Sequence, residues 1–397
     1  MPTRISRWGI FGIVYLTMVS FALVFQSVPP LLHLIIDDMA ISHGQAGLLM
    51  SLFSLPGILI AIPVGIYADR YGVKRIGIYS FLLLIAGTVM VAMGPSFTVL
   101  AAGRVLGGIG GMTLAVLCPQ IIAQWFAHKE TGLAMGLFHS GMPVAFITAQ
   151  NVLSWVGVTW DWRLGIWLTL GVAILAFAVF VLFLVQAPSA PKREQDWRGI
   201  LSGLRHIGLP IWLLGLIWGL FNAAAIAMFT FAHDFMVGAG IDPITAGRNA
   251  SWFMVASLFA GPVVGYMVDR LGHKLVFPLV GAICMAALFP LVPGDINQVV
   301  FLIVIIGIFS ACIPSPVFSL AADVLSPRQL GVGYGILTTL LNVGAFAGPW
   351  LVGLSRDMTG TYRAGFGMMS FFTFLAAVVV VVLWVRLKGR PPRRLDG

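Results

Sequence analysis

Residues 65–75 read Gly65-Ile-Tyr-Ala-Asp69-Arg70-Tyr-Gly72-Val-Lys74-Arg75, and 200 positions later the chain reads Gly265-Tyr-Met-Val-Asp269-Arg270-Leu-Gly272-His-Lys274. Each stretch ends a long apolar run with a short charged cluster and a glycine. An echo at an offset near half the chain marks an internal duplication. A second echo sets residues 132–157, rich in glycine, against residues 331–353.

Outside these clusters the chain has very little charge. It has 397 residues, 59% hydrophobic and 9% charged, with a mean hydropathy of +0.99. Soluble domains carry roughly 25% charged residues, so this chain cannot cover a water-facing surface and takes the bilayer as its solvent. Runs of about 20 apolar residues recur, placing spans at 9–35, 45–67, 76–94, 97–125, 132–157, 163–186, 209–236, 245–267, 276–292, 297–322, 331–354 and 363–386. Met1–Trp8 is short and basic and leads straight into the first span, as in a signal anchor. The expected fold is an all-α integral membrane protein with twelve transmembrane helices in two pseudo-symmetric six-helix bundles.

Loop charge gives the orientation. With the N-terminus in the cytoplasm, 18 of the 23 Lys and Arg lie on the cytoplasmic side and only Arg163, Arg248, Arg356 and Arg363 on the other; Arg104 sits inside a span. That bias predicts cytoplasmic N- and C-termini. The longest cytoplasmic connection, 187–208, divides the chain into bundles at 1–186 and 209–397, the second ending in a basic tail. Cys118, Cys284 and Cys312 lie in apolar runs with no motif spacing, so neither a disulfide nor a metal site is expected. The net charge of +9 belongs to these loops and does not indicate nucleic acid.

The paired motif, together with Arg104-x3-Gly108 in span 4 and the Gly/Pro-rich Gly136–Pro143 in span 5, resembles the major facilitator superfamily over essentially the whole chain. The resemblance implies two six-helix halves that rock about a central site. It also implies a cytoplasmic gate built from Gly65, Asp69, Arg70, Gly72, Lys74 and Arg75, with Asp269 and Arg270 as the second-half copy. Asp69 would cap span 11 near Leu330 and Gly331, and Arg70 would pair with Glu130, in the outward-facing state. Ile41–Gly47 and Trp160–Arg163 are similar to the cyanate, nitrate and organic-anion branches. Of the arginines that nitrate carriers place in spans 2 and 8, only Arg248, at the edge of span 8, is present.

Polar groups inside spans are costly and mark pathways. Gln26 and His33 fall on one stripe of span 1; Asn222, Phe229 and His233 fall on one stripe of span 7. With Arg104 and His139 they are the candidate substrate contacts. Arg104 is read either as an anion ligand or as half of a structural ion pair with Asp37 or Asp38. Asp37, Asp234 and His139 are candidate proton-coupling groups. Gln150, Asn151 and Asn342 either bond the substrate or join helices.

No Gly-x4-Gly-Lys-Ser/Thr loop and no enzymatic constellation is present, so neither ATP nor a cofactor drives the protein directly and it is not read as an enzyme. The expected function is a secondary active transporter in the inner membrane, a monomer with a small-molecule substrate and a coupling proton or counter-ion. Deep carboxylates are scarce, which favours a small organic or inorganic anion. Efflux of hydrophobic compounds by proton antiport is the alternative, and a channel or receptor the different-class alternative.

Overall fold

The computed structural model describes residues 6–126, 130–185, 207–325 and 329–388, without the side chains of 61, 62, 65, 66, 69, 131 and 330. The described residues are helical with no strand. Eleven helical segments are long and apolar enough to cross a membrane, and the shorter Val276–Leu291 makes the twelfth span. Of the connection at 187–208, only Ile207 and Gly208 lie inside the described residues.

Spans 2, 3, 4, 6, 7, 8, 11 and 12 are continuous helices: His43–Tyr71, Val73–Met93, Phe97–Trp125, Trp162–Phe183, Leu209–Gly238, Pro243–Leu271, Leu330–Thr359 and Tyr362–Lys388. Span 1 is not the single helix that its hydropathy suggests. It consists of Arg7–Phe25, a 3₁₀ turn at Pro29–Leu31 and a second helix, Leu32–Met39. Pro29 has no N–H to give the Phe25 carbonyl, and its ring crowds that carbonyl, so the helix breaks there. Span 5 is segmented as Thr131–His139, Gly141–Thr148, a π-helical turn at Ala149–Leu153 and Ser154–Thr159. Span 10 breaks between Val299–Ser310 and Pro314–Val324. Such interruptions persist in a membrane only where neighbours take up the freed backbone groups.

The duplication seen in the sequence recurs as geometry. Ser42 caps span 2 by accepting the Gln45 N–H, and Asp242 caps span 8 by accepting the Thr245 N–H, again 200 positions later. A Cβ on Gly108 would overlap the Phe53 carbonyl, and one on Gly307 would overlap the Phe253 carbonyl, so spans 4 and 2 approach as spans 10 and 8 do. Span 1 packs on spans 4, 5 and 6, and spans 3 and 4 pack together; span 7 packs on spans 11 and 12, and span 8 on span 10.

Spans 2 and 11, 5 and 8, and 1 and 7 join the two halves. Here too the contact is duplicated. A Cβ on Gly47 would strike the Pro349 carbonyl of span 11, and one on Gly247 the Gln150 carbonyl of span 5. Small residues let backbones approach where lipid supplies no hydrophobic drive between helices. These junctions lie toward the face away from Gly65–Arg75, called here the sealed face.

Candidate functional site

The break in span 1 exposes carbonyls, and Arg104 of span 4 takes two of them together with one from span 2. Its guanidinium donates from Nε to the Leu49 carbonyl at 2.9 Å, from Nη1 to Val24 at 3.0 Å and from Nη2 to Phe25 at 3.1 Å. It lies over the Phe53 ring at 4.5 Å and is 2% exposed. The expected ion pair with Asp37 or Asp38 is therefore replaced. Asp38 instead accepts from Arg163 at 2.7 Å and from the Trp162 indole at 3.1 Å, while Asp37 is exposed. Carbonyls at a broken helix end carry partial negative charge and suit a cation without a carboxylate. A void of about 10 Å³ beside Arg104, lined by Ser27, Thr88 and Gly103 among others, has room for one water.

At the sealed face, four spans contribute to one polar cluster. Asp357 of span 11 accepts the backbone N–H groups of His43 and Gly44 at 2.9 and 2.7 Å. The His43 ring places Nδ1 3.6 Å from Asp357 Oδ1 and Nε2 3.5 Å from Asp234 Oδ2 of span 7. The Tyr362 hydroxyl of span 12 donates to the same Asp234 oxygen. The Arg356 guanidinium lies over the Tyr362 ring at 5.1 Å.

Beside this cluster His33 of span 1 meets His233 of span 7, ring centroids 5.1 Å apart. The two positions are 200 residues apart, so they are equivalent in the two repeats. His233 Nε2 lies 2.9 Å from the Pro243 carbonyl and 3.2 Å from Ser154 Oγ, whose own hydrogen goes to the Gln150 carbonyl at 2.6 Å. A carbonyl only accepts, so Nε2 carries the proton. Nδ1 of His233 is buried without a partner, as are both ring nitrogens of His33 and both side-chain amide atoms of Gln150. Gln26 Oε1 is likewise unpartnered at the break in span 1. The turn at Pro29–Leu31 packs on both the π turn of span 5 and span 7, which brings these groups to one junction. Buried polar atoms without partners are uncommon and call for a ligand, water or ion. π turns are frequent at functional sites.

The remaining candidates are dispersed. Asn222 Nδ2 donates to its own helix at the Trp218 carbonyl. Asn151 and Asn342 do the same toward Ile147 and Thr338. Phe229 is packed between Phe146 of span 5 and Phe253 of span 8, at 4.7 and 5.0 Å. His139 is exposed at the end of its helical segment, in edge contact with Phe138, far along span 5 from His233. Trp218, Phe221, Phe318 and Tyr334 form an aromatic chain from span 7 to spans 10 and 11.

The motif loop is held by local contacts. Gly72 has φ +88°, a value that disfavours any side chain. Lys74 donates to the Leu184 carbonyl at 2.8 Å, and Arg75 is exposed. Arg70 lies over the Tyr71 ring at 5.5 Å, and Glu130 pairs with Arg7 at 2.9 Å in place of Arg70. In the second copy Arg270 donates to the Tyr266 hydroxyl, Lys274 pairs with Asp323, and Asp269 is exposed. The side chains of Asp69 and Leu330, on which the capping expectation rests, lie outside the described residues.

Twelve spans in two repeated halves, sealed against each other at one face, have the architecture of a carrier. The family model described as Major Facilitator Superfamily matches residues 14–239 and 211–397. The chain belongs to the Major Facilitator Superfamily. It is a multi-pass membrane transporter of small solutes and not an enzyme. The chain is 24% identical over 379 residues to the nitrite extrusion protein of Bacillus subtilis (strain 168), covering 94% of this chain and 93% of that one. It is 23% identical over 372 residues to the lysosomal dipeptide transporter MFSD1 of Danio rerio, covering 88% and 81%. It is 21% identical over 380 residues to the hexuronate transporter of Bacillus subtilis (strain 168), covering 89% of each. Among solved structures, a bacterial homolog of the human lysosomal transporter Spinster, inward-facing and occupied, superposes with a TM-score of 0.81 at 18% identity, covering 98% of this chain and 100% of that one. The nucleoside transporter NupG superposes at 0.79 with 15% identity, covering 94% and 99%.

Sequence reading alone singled out Gln26, His33, Arg104 and His233, but it did not single out His43, Asp357 or Tyr362 as parts of a site. The 200-residue offset was the available signal for the His33–His233 pair. No spacing connects His43 to Asp357.

Proposed function

We propose that this transporter carries a small organic anion across the inner membrane by alternating access, in the state closed toward the outside. The basic face, with the Gly65–Arg75 loop and both termini, is then cytoplasmic. The observation that carries this reading is the junction of unpartnered donors and acceptors at Gln26, His33, Gln150 and His233 beneath the seal. It lies between the two halves, where a carrier of this design holds its cargo.

An imidazole N–H and a carboxamide N–H suit a carboxylate, and the acceptors beside them suit a hydroxyl or an amine on the same molecule. Hexuronate and dipeptide, the cargoes named for two relatives, have that mixed character. Arg104 gives three of its five N–H groups to carbonyls and a fourth to the Met50 sulfur. Its proposed role is to hold span 1 broken so that Gln26 and His33 face the site, rather than to hold the anion itself.

Counter-flow in proteoliposomes, tested with dipeptides, hexuronates, nitrite, nitrate and lipophilic cations, checks the proposal. Saturable exchange of carboxylates, weakened in His33→Ala and His233→Ala, is expected. Exchange of lipophilic cations alone would overturn it in favour of a drug-efflux carrier using the aromatic chain at Trp218.

A further inference from the structure

We infer, resting on the reading of the Gln26–His33–Gln150–His233 junction as a carboxylate site, that its cargo is a zwitterion: an amino-carboxylate with its ammonium toward Asp234 and its carboxylate toward Gln26 and the Arg104 side of the junction.

Two buried charges of opposite sign flank the junction. On the first-half side Arg104 holds the carbonyl of Phe25, the residue before Gln26. Its contacts are carbonyls, a sulfur and a ring, and among the described residues no carboxylate lies within ion-pair distance of it. On the second-half side Asp234, 7% exposed, follows His233 in span 7. Its charge acts on both His33 and His233. Its Oδ2 takes the Tyr362 hydroxyl and faces the His43 ring, and among the described residues no lysine or arginine pairs with it. A buried charge without a full counter-charge is costly, so both ends of the junction favour a charged guest of the opposite sign.

The internal duplication makes this field asymmetric. His33 and His233 are equivalent positions, but neither charge is repeated. The first-half equivalent of Asp234 is Leu34, 200 positions earlier. By the 199-residue offset that relates Gly108 to Gly307, the second-half equivalent of Arg104 is Ile303. A paired set of imidazoles is therefore flanked by a positive charge on one half and a negative charge on the other. A simple anion answers Arg104 and is repelled by Asp234. A zwitterion aligned with the field answers both, and it carries no net charge into the membrane interior, where net charge is expensive.

The uncharged groups between accept this guest. The ring hydrogen of His233 is on Nε2, toward Pro243, so in the neutral ring the unpartnered Nδ1 beside Asp234 is an acceptor. An ammonium supplies three N–H groups there, whereas a hydroxyl supplies one. A carboxamide presents either N–H or C=O by a half-turn of its last bond, so Gln26 and Gln150 serve whichever charged end lies beside them. Gln26 and His33 are seven positions apart in span 1, which at helical rise is about 10 Å. That length suits charged ends separated by several bonds.

The test measures Kd by titration calorimetry on the full-length protein in detergent at neutral pH, with 6-aminohexanoate, hexanoate, 6-hydroxyhexanoate and hexylamine. The Kd of 6-aminohexanoate should lie about tenfold or more below each of the others. Asp234→Asn should bring 6-aminohexanoate to the affinity of 6-hydroxyhexanoate, and Asp234→Glu should keep the preference. If Asp234→Asn does not fold, the ranking in the wild type decides. A preference that survives Asp234→Asn overturns the placement of the ammonium. Hexanoate or 6-hydroxyhexanoate binding as tightly as 6-aminohexanoate overturns the zwitterion and spares the carboxylate site. Binding of hexylamine alone overturns both. Binding of none of the four overturns the zwitterion, and saturable counter-flow of any other carboxylate would then still uphold the carrier.

Discussion

Asp357 and His43 are 314 positions apart, yet the carboxylate of one accepts the backbone N–H of the other at 2.9 Å. A second oxygen takes the Gly44 N–H at 2.7 Å, so the acid of span 11 caps span 2 from across the seal. This contact combines charge, helix dipole and geometry at the point where the two halves meet.

Asp357→Asn removes the charge and weakens a charge-assisted cap. Hydrogen bonds to charged groups contribute about 1.5–3 kcal/mol, and partial exposure of this one reduces the expected cost to about 1 kcal/mol. A lower melting temperature in detergent, with normal insertion, is the expected outcome. An unchanged melting temperature would show that the cap does not stabilise this state.

Arg104→Lys replaces a planar fork over three carbonyls with a single ammonium. Lys cannot reach Leu49, Val24 and Phe25 together, and it loses the stacking on Phe53. Hydrogen bonds from a charged donor contribute about 1.5–3 kcal/mol, and the variant loses at least one of the three. The variant should insert, melt earlier than wild type and transport poorly. Counter-flow and thermal unfolding on the same preparation measure both effects.

Gly47→Ala and Gly247→Ala each place a methyl group against a carbonyl of the opposite half. Overpacking of this kind costs about 1–3 kcal/mol. The cost falls on the sealed state alone, because the two backbones are apart when that face opens. With spin labels on Ser96→Cys and Asn297→Cys, exposed positions on opposite halves, both variants should lengthen the distance measured across that face. A shift in only one of them would break the equivalence of the two repeats.

Tyr362→Phe deletes the hydroxyl that donates to Asp234 and leaves the aromatic packing with Phe231 and Phe235 in place. The buried carboxylate then lacks one of its donors, at a cost of about 1–3 kcal/mol. The expected outcome is a lower melting temperature with an unchanged helical circular dichroism spectrum. Retained stability would mean that His43 alone satisfies Asp234.

The spans were legible because hydropathy is a property of local composition. The repeat was legible because Asp69 and Asp269, or Gly72 and Gly272, keep a fixed offset in the chain. Hydropathy ran span 1 as one helix from 9 to 35, through the Pro29 and Pro30 at which the structure breaks it. The partner of Arg104 was not legible. Carboxylates appear in a sequence as charges, whereas a backbone carbonyl freed by a helix break has no letter, so Asp37 and Asp38 stood out as partners that Arg104 does not use.

The sequence by itself determined that this is a duplicated twelve-span chain with a strongly basic face, since apolar length, loop charge and internal offset are all written along one dimension. The tertiary structure decided which face is sealed and what seals it. His43, Asp234, Asp357 and Tyr362 lie on four different spans, and each is an ordinary residue at a helix end until the halves pack. Membrane helices associate through close backbone approach and a few polar contacts rather than through hydrophobic burial. Pairing between distant helices therefore depends on three-dimensional fit at positions such as Gly47 and Gly247, which the linear pattern does not specify.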